Sequence, residues 1–327
     1  MASIVAAALA IFVAVSSAIA FDLQGHRGAR GLAPENTLEG FARALSIGVS
    51  TLELDLGMSK DGVVVAHHDI WLNADTTRGP DGLFLAQRGP ALRALTLAEL
   101  RRYDVGRLKP GTAYAASLPE QRPIDGARIP TLAAVFDRVR QAKADRVRFN
   151  IEAKMTPAAG ADAADPETFA AAVIQIVRDA GLAARVSVQS FDWRTLAAFR
   201  RLAPEIARMC LTVERGANDN IQRGRPGPSP WTAGLDVDDV GGSTPRLVKA
   251  ADCAGWSPLF LDLTDGALKE AKALGLTVIP WTVNEPADMD RLIAAGVDGL
   301  ITDYPDRLRA VMAARKLPLP PPLPVPK

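Results

Sequence analysis

The stretch DLQGHRGARGLAPENTLEGFARALSIGVSTLELDLGMSKDGVVVAHHD, residues 22–69, holds most of the recognisable chemistry of this chain of 327 residues. It contains three short apolar runs with the composition of β-strands, and polar side chains mark the end of each run. The first run is followed by His26, the second contains Glu53 and Asp55, and the third is followed by His-His-Asp at 67–69. All three histidines of the chain lie here. The pattern predicts a functional site at the ends of neighbouring strands.

The second run carries two carboxylates. Alternate side chains of a strand lie on one face, so Glu53 and Asp55 point the same way, while the leucines at 52, 54 and 56 point the other way. Neighbouring carboxylates raise each other's pKa unless a cation lies between them. Mg²⁺ and Ca²⁺ prefer such oxygen ligands. The spacing alone indicates either a metal site or an ion pair with an arginine or lysine.

The histidines are candidates for acid–base catalysis, because an imidazole titrates near neutral pH. His26 and His68 follow strands beside the paired carboxylates, which favours catalysis over a packing role. Alternation along the chain points His67 away from His68, so His67 is interpreted as structural. No Cys or His spacing matches a zinc site.

Several short motifs follow one another along the chain: HRG at 26–28, PENT at 34–37, ELD at 53–55, KDG at 60–62, HHD at 67–69, IEAK at 151–154, QSF at 189–191, PWTVN at 280–284 and ITDYP at 301–305. In this order they resemble the motifs of the glycerophosphodiester phosphodiesterase family, and more widely those of the phospholipase-C-like phosphodiesterases, which are TIM barrels. The resemblance covers roughly residues 22–310.

The resemblance implies hydrolysis of a small-molecule glycerophosphodiester to an alcohol and sn-glycerol 3-phosphate. Glu53, Asp55 and Glu152 are expected to bind one divalent cation, Mg²⁺ or Ca²⁺, which stabilises charge at phosphorus. His26 and His68 are expected to act as acid and base, and the sequence does not assign which is which.

Further site residues follow from the same resemblance. Arg27 and Lys154 are expected to bind the phosphate. Lys154 and Glu152 lie two apart on one strand face, and without the resemblance a simple charge pair between them would be the alternative. Trp281 follows a strand, where an aromatic ring either closes over the substrate or packs at the rim.

The PENT motif borders the site in the family, so Glu35 is a further candidate. Asn36 or Thr37 is expected to cap the helix that begins at Leu38, and capping is the favoured role of Asn36. The hexapeptide NADTTR at 73–78 stands where the family often has Arg-Thr-Thr, so the head group of the substrate is not predicted.

Runs ending near positions 25, 55, 66, 152, 189, 212, 281 and 302 give eight strands, most of them followed by helices. This alternation predicts an α/β fold, a (β/α)₈ TIM barrel over residues 21–315, with its site at the C-terminal strand ends. The run SPLFLDL at 257–263 is interpreted as an extra strand or turn. Residues 69–130 break the alternation and are predicted to form an insertion after the third strand that shapes the head-group pocket.

The two ends of the chain differ from the barrel in composition. Residues 2–20 are uncharged, almost wholly apolar and end in Ala-Ile-Ala, which predicts a signal peptide cut after residue 20. They lack the usual basic residues, so an uncleaved N-terminal membrane anchor is the alternative. We therefore expect a periplasmic or secreted protein, or one anchored through 2–20. The Pro-rich tail, 316–327, is expected to be extended and loose.

Composition and cysteines narrow the function classes. Lys and Arg total 38 and Asp and Glu total 37, so the net charge of +1 gives no support for nucleic-acid binding. Cys210 and Cys253 are compatible with export, and a disulfide between them is one possibility. The sequence does not give the oligomeric state, and it places membrane contact only at an uncleaved N-terminus.

Three alternative functions remain at this point. The first is a lysophospholipase D or sphingomyelinase D-like enzyme, which needs an apolar groove that Trp71, Leu83 and Phe84 could supply. The second is a non-catalytic binding barrel, which is disfavoured because every expected metal and acid–base position is filled. The third is a sugar-active barrel with Glu152 as the acid, which leaves the histidines without a role.

Overall fold

The computed structural model describes residues 21–323, in which nine strands and ten helices are found. The signal peptide or anchor predicted at 1–20 lies outside the described residues. The strands are β1 (Asp22–Gly25), β2 (Thr51–Met58), β3 (Val64–Ala66), β4 (Arg148–Ala153), β5 (Val186–Ser190), β6 (Ala207–Thr212), β7 (Gly255–Pro258), β8 (Thr277–Val278) and β9 (Gly299–Thr302). The helices are α1 (Leu38–Ile47), α2 (Leu97–Leu100), α3 (Ala113–Ser117), α4 (Leu132–Gln141), α5 (Pro166–Asp179), α6 (Trp193–Leu202), α7 (Thr244–Ala250), α8 (Asp265–Ala273), α9 (Pro286–Ala295) and α10 (Pro305–Ala314).

Eight of the strands are parallel and follow one another around a barrel in the order β8, β7, β6, β5, β4, β2, β1, β9. Backbone hydrogen bonds join the two ends of this order: Asp298 N–H donates to Val278 O at 2.9 Å, and Val283 N–H to Ile301 O at 2.9 Å. The barrel is therefore nearly closed, and helices lie between the strands. The predicted (β/α)₈ TIM barrel is confirmed.

One predicted barrel strand is wrong. β3 pairs with β2 in antiparallel orientation, with Leu56 opposite Ala66, so it is a hairpin arm on the edge of β2. Gly62, with φ +79°, supplies the left-handed residue in the loop that joins the two strands. A loop of five residues is too short for the crossover that parallel strands need. The eighth barrel strand is instead β7, whose segment the sequence analysis interpreted as an extra strand or turn.

The insertion follows the third strand of the chain, as predicted, and so lies between the second and third strands of the barrel. Between β3 and α4 it contains the short helices α2 and α3 and a 3₁₀ helix at Leu92–Ala94. It has its own buried cluster, separate from the main core, formed by Val65, Leu72, Leu92, Leu100, Val105 and Ile129. The cluster gives this irregular segment a fixed position against the barrel.

Helix α1 shows how the sequence sets the start and end of an element beside the site. The hydroxyl of Thr37 accepts a hydrogen bond from Gly40 N–H at 3.0 Å, which satisfies a free donor of the first turn. The helix ends at Gly48, whose φ of +92° is the left-handed C-terminal cap. Phe41, Ala44 and Leu45 are buried against the barrel. The helix predicted from the apolar spacing is confirmed.

Cys210 on β6 and Cys253 beyond α7 form a disulfide, with 5.9 Å between their Cα atoms. Cys210 is fully buried, as predicted for a strand residue in an apolar run. The bond closes a loop of 43 residues, and a loop of this length restricts the unfolded chain strongly.

The Pro-rich tail is not loose as far as residue 323. Leu323 N–H donates to Leu45 O at 3.0 Å, and Arg309 Nη1 donates to Pro320 O at 2.5 Å and to Gly48 O at 3.2 Å. Residues 324–327 lie outside the described part of the chain. Between residues 21 and 323, every helix is too short or too polar to cross a bilayer.

Candidate active site

Three carboxylates meet near the C-terminal ends of β2 and β4. Asp55 lies opposite Glu152 in the register of these parallel strands, and Glu53 precedes Asp55 by two residues on the same face. Their ligand oxygens lie within 4.8 Å of one another, and all three side chains are buried. The structure brings together the three residues that the sequence analysis named as metal ligands. We call them the carboxylate triad.

The electrostatics of the triad fit a hard divalent cation. Burial and the charges of Asp55 and Glu152 raise the pKa of Glu53 well above its ordinary value. Burial raises the pKa of Glu152 to about 7, although Lys154 opposes the shift. Asp55 Oδ1 is buried and has no hydrogen-bond partner among residues 21–323. A cation bound here would remove the repulsion and give Oδ1 a partner.

Lys154 lies at the edge of the triad. Its Nζ donates to Glu152 Oε1 at 2.6 Å and lies 3.6 Å from Asp55 Oδ1. Although burial opposes it, the charges of Glu152 and Asp55 raise the pKa of Lys154, so the ammonium is charged. This places a buried positive charge directly beside the triad, where the sequence analysis predicted a phosphate ligand.

Arg27 binds the triad through its backbone and its side chain. Its φ of +50° lies in the left-handed region, and its N–H donates to Glu53 Oε2 at 2.8 Å. Its guanidinium lies 3.1 Å from Asp55 Oδ2 and 2.7 Å from Glu35 Oε1. Tyr114 of the insertion also donates to Glu35. Glu35 therefore reaches the site and links the insertion to Arg27.

Close packing of the backbone explains why the HRG motif has a glycine at position 28. Gly28 has φ +87°, and a Cβ at this position would lie 2.7 Å from the carbonyl carbon of Gly40. The turn after β1 therefore packs directly against the start of α1, which holds His26 and Arg27 at the mouth of the barrel.

His26 is held by a carboxylate at the end of β9. Its Nδ1 lies 2.6 Å from Asp303 Oδ1, and its Nε2 lies 4.0 Å from Glu53 Oε2. Arg30 donates two hydrogen bonds of 2.8 Å to the same aspartate, and Asn284 donates one of 2.8 Å. Burial and the charge of Arg30 lower the pKa of His26 to about 4, so the imidazole is neutral at pH 7. Nε2 is thus the ring nitrogen that faces the triad.

His68, which lines the cleft beside Glu152, has a similar arrangement. Its Nδ1 lies 2.6 Å from Asp69 Oδ1, and Asn73 donates to Asp69 Oδ2 at 2.7 Å. Burial and the charges of Arg27 and Lys154 lower the pKa of His68 to about 4. His67 is buried, and its Nδ1 lies 2.9 Å from the backbone oxygen of Asp69. His26 and His68 thus each place Nδ1 on a carboxylate.

The favoured role of Asn36 as a helix cap is wrong. Thr37 caps α1, whereas the amide of Asn36 donates to Asp55 Oδ2 at 2.8 Å and accepts from Asp55 N–H at 3.1 Å. Asn36 has φ +53°, a conformation that asparagine adopts more readily than most residues. Asn36 therefore orients a carboxylate of the triad.

A cleft of about 500 Å³ opens beside the triad. Phe191 lies on one wall, and Trp281 packs edge-on against it with 5.3 Å between ring centroids. The indole N–H of Trp281 donates to Ser257 O at 2.9 Å. The cleft is lined by His68, Asp69, Ile70, Trp71, Asn73, Ala74, Asp75, Arg88, Glu152, Lys154, Met155, Thr156, Phe191 and Trp231. The insertion thus supplies one wall of the cleft and the barrel the other.

Comparison with known proteins agrees with this geometry. Residues 26–307 match the model of the glycerophosphoryl diester phosphodiesterase family. The chain belongs to this family. A glycerophosphodiester phosphodiesterase of Caldanaerobacter subterraneus subsp. tengcongensis is 27% identical over 283 residues, which cover 86% of this chain and 94% of the relative.

Solved structures of family members show the same fold. A structure from Silicibacter pomeroyi, assigned as a glycerophosphoryl diester phosphodiesterase, is 37% identical with a TM-score of 0.79 and covers 90% of this chain and 93% of that one. A phosphodiesterase of Oleispira antarctica, solved in complex with its product sn-glycerol-3-phosphate, is 24% identical with a TM-score of 0.63 and covers 89% and 96%. The chain is thus an enzyme, a glycerophosphodiester phosphodiesterase.

Several residues of this phosphodiesterase site were missed by sequence reasoning. Asp303, Asp69 and Gln189 contact His26, His68 and Glu53. All three lie in motifs that carried the family resemblance, ITDYP, HHD and QSF, so the motifs themselves were the available signal. Arg30 and Tyr114 lie outside those motifs, and nothing in the sequence pattern pointed to them.

The position of Arg30 yields a prediction about His26. Substitution Arg30→Met removes a positive charge and leaves Asp303 to pair with the imidazolium, so the pKa of His26 is expected to rise from about 4 toward its ordinary 6.5. An NMR titration of the imidazole signals measures this. Arg43→Met, on the exposed face of α1, is the control and should leave the titration unchanged. A pKa of His26 that stays near 4 in Arg30→Met would show that Arg30 does not contribute.

Proposed function

We propose that this phosphodiesterase uses one divalent cation, Mg²⁺ or Ca²⁺, and two histidines to split a glycerophosphodiester into an alcohol and sn-glycerol 3-phosphate. The observation that carries the proposal is the buried carboxylate triad, with His26 Nε2 4.0 Å from Glu53 Oε2 and with His68 in the cleft that Glu152 also lines. The product bound to the Oleispira antarctica phosphodiesterase supports the assignment of sn-glycerol 3-phosphate as the product here.

Glu53, Asp55 and Glu152 hold the cation, which when bound supplies Lewis-acid stabilisation of the phosphate's negative charge. Lys154 adds a fixed positive charge on the side of Glu152. Arg27 keeps Glu53 and Asp55 in place with its backbone N–H and guanidinium, and its charge adds to the positive potential at the phosphate.

The two histidines transfer protons at Nε2. Because Asp303 and Asp69 hold the Nδ1 atoms, each Nε2 is the nitrogen available to the substrate. We assign His26 as the base whose Nε2 takes a proton from the attacking water, or from the neighbouring glycerol hydroxyl, in which case water then opens the cyclic phosphate. We assign His68 as the acid, because it lines the cleft into which the alcohol would extend. His68 acts from its imidazolium form, which the negative charges of Asp69 and of the bound phosphodiester favour, and gives its Nε2 proton to the leaving alkoxide.

The cleft supports a small polar alcohol as the leaving group. Its lining combines apolar side chains such as Phe191 and Trp231 with charged ones, and an acyl chain would leave the charged groups without water. The charged residues are Asp69, Asp75, Arg88 and Lys154. Trp71, one of the residues that a lysophospholipid groove would need, has its ring covered by the Arg88 guanidinium at 4.4 Å. These features favour a glycerophosphodiester such as glycerophosphocholine over a lysophospholipid.

Removal of the metal tests the central part of this proposal. Chelator-treated enzyme is expected to lose hydrolysis of glycerophosphocholine and to regain it with Mg²⁺ or Ca²⁺. Asp55→Asn should lower kcat/KM by about 100-fold or more, since it removes a charged ligand. Asp137→Asn, exposed on α4, is the matched control and should keep wild-type activity. Full activity in the presence of chelator, or hydrolysis of a lysophospholipid alone, would contradict the proposal.

Two substrates with different leaving groups distinguish the acid from the base among the two histidines. A glycerophosphodiester of p-nitrophenol releases a stable anion that needs no proton, whereas glycerophosphocholine releases an alkoxide. His68→Asn should therefore lose about 10²- to 10⁴-fold on glycerophosphocholine and far less on the p-nitrophenyl ester, while His26→Asn loses activity on both. Rate measurements on both substrates decide this. Equal losses on both substrates in His68→Asn would exclude it as the acid.

We also infer that the enzyme is exported. The Cys210–Cys253 disulfide supports this, because such bonds persist mainly in oxidising compartments, and so does the apolar stretch at 2–20. Mass spectrometry of the protein recovered outside the cytoplasm should find an N-terminus at Phe21, and an intact N-terminus in a membrane fraction would instead indicate the anchor.

A further inference from the structure

The interior of the barrel next to the triad contains a row of buried amides. Asn150, on β4, lies at its centre and is fully buried. Its Nδ2 donates to Gln24 Oε1 and to Gln189 Oε1, each at 2.9 Å. The two glutamines extend in opposite directions, and each donates to a carboxylate: Gln24 to Asp22 Oδ2 at 2.9 Å and Gln189 to Glu53 Oε1 at 3.0 Å. We call these five side chains the amide ladder.

The direction of every hydrogen bond in the amide ladder is fixed. An ionised carboxylate only accepts, and a cation bound at the triad keeps Glu53 ionised, so each glutamine then turns its NH₂ group outward and its oxygen toward Asn150. Asn150 must then donate with both N–H bonds, and its Oδ1 accepts from Ser187 at 3.1 Å. Asp22 is itself held by Thr51 at 2.7 Å and Arg148 at 2.9 Å. A reversal of any one amide would place acceptor against acceptor in a buried site.

At the triad end, the ladder fixes the orientation of Glu53. Gln189 donates to Oε1 and the Arg27 N–H donates to Oε2, so each oxygen of Glu53 has one donor and keeps one lone pair free. A carboxylate held in this way keeps one orientation, with a ligand oxygen within 4.8 Å of those of Asp55 and Glu152.

The barrel does not require amides for packing. Met209 on β6, Ile301 on β9 and Ile279 just after β8 meet in an apolar cluster. In the barrel, β7 and β8 separate β6 from β9, so Met209 and Ile301 meet across its interior. A buried amide gains little net stability over a well-packed apolar residue. The polar side of the interior coincides with the strands that carry the triad, which points to a role in metal binding.

We propose that Gln189 and Asn150 are positioning residues for the divalent cation: Gln189 orients Glu53 directly, and Asn150 fixes the amide of Gln189 so that its NH₂ group faces Glu53. The proposal rests on the metal site of the proposed function. Loss of a group that orients a metal ligand typically weakens metal binding by about 10- to 100-fold.

The test is calorimetric titration of the metal-free protein with Mg²⁺ and, separately, with Ca²⁺. Gln189→Met keeps the side-chain length and removes the hydrogen bond to Glu53, so the Kd should rise about 10- to 100-fold. Asn150→Asp keeps the shape but cannot donate, so Gln189 must reverse and the Kd should rise similarly. If the two act in series, Asn150→Asp should have no further effect in the Gln189→Met background.

Two substitutions serve as controls. Gln175→Met makes the same chemical change on the exposed face of α5, where Gln175 also donates to a carboxylate, that of Asp179, and the Kd should not change. Gln24→Met breaks the ladder on the far side of Asn150 and leaves the contact of Gln189 with Glu53, so its effect should stay within about threefold, well below the effect expected for Gln189→Met. If Gln189→Met does not fold, Gln189→Asn, which is polar but too short to reach Glu53, replaces it with the same expected rise in Kd.

Different failures have different meanings. Two results would overturn the positioning role and leave the metal site intact. The first is a wild-type Kd for the metal ion in a folded Gln189 variant. The second is an equal rise in Kd when Asn150→Asp is added to the wild type and to Gln189→Met. Failure of the wild-type protein to bind either ion would overturn the metal site of the proposed function and this proposal with it.

Discussion

Three buried carboxylates within 4.8 Å of one another are the constraint on which the site depends. Burial and mutual repulsion raise the pKa of both Glu53 and Glu152, so the metal-free barrel holds the triad at an energetic cost. The same arrangement is a strong ligand set once a divalent cation neutralises it. The arrangement that suits cation binding therefore lowers the stability of the metal-free protein, as is common at active sites.

The residues around the triad reduce this cost and also give the site its geometry. Arg27 and Lys154 provide positive charge within 4 Å of the carboxylates. Asn36 and Gln189 donate to single oxygens of Asp55 and Glu53 and so fix their orientation. Each histidine has its Nδ1 held by its own carboxylate partner, which leaves Nε2 as the nitrogen that the proposed proton transfer would use. One set of contacts thus lowers repulsion and positions the catalytic groups.

Strand alternation and short motifs predicted the barrel and the three carboxylates of the site. Alternation in TLELDL placed Glu53 and Asp55 on one face, and the order of the motifs predicted the barrel and the third carboxylate, Glu152. The loop of five residues before β3 already excluded a parallel crossover, but the count of apolar runs overlooked it. The contact of His26 with Asp303 joins residues 277 positions apart, and the contacts of Asn36 with Asp55 join the turn before α1 to β2. Such contacts depend on closure of the barrel, which no local spacing encodes.

The most direct test of the account is a crystal structure of the enzyme grown with Mn²⁺ and sn-glycerol 3-phosphate, with the ion located by its anomalous signal. The account predicts one ion bonded at about 2.0–2.6 Å to an oxygen of each member of the triad, with the phosphate between His26 and His68. An ion bound elsewhere, or a phosphate bound with Lys154 and Arg27 while the triad stays free of metal, would contradict it.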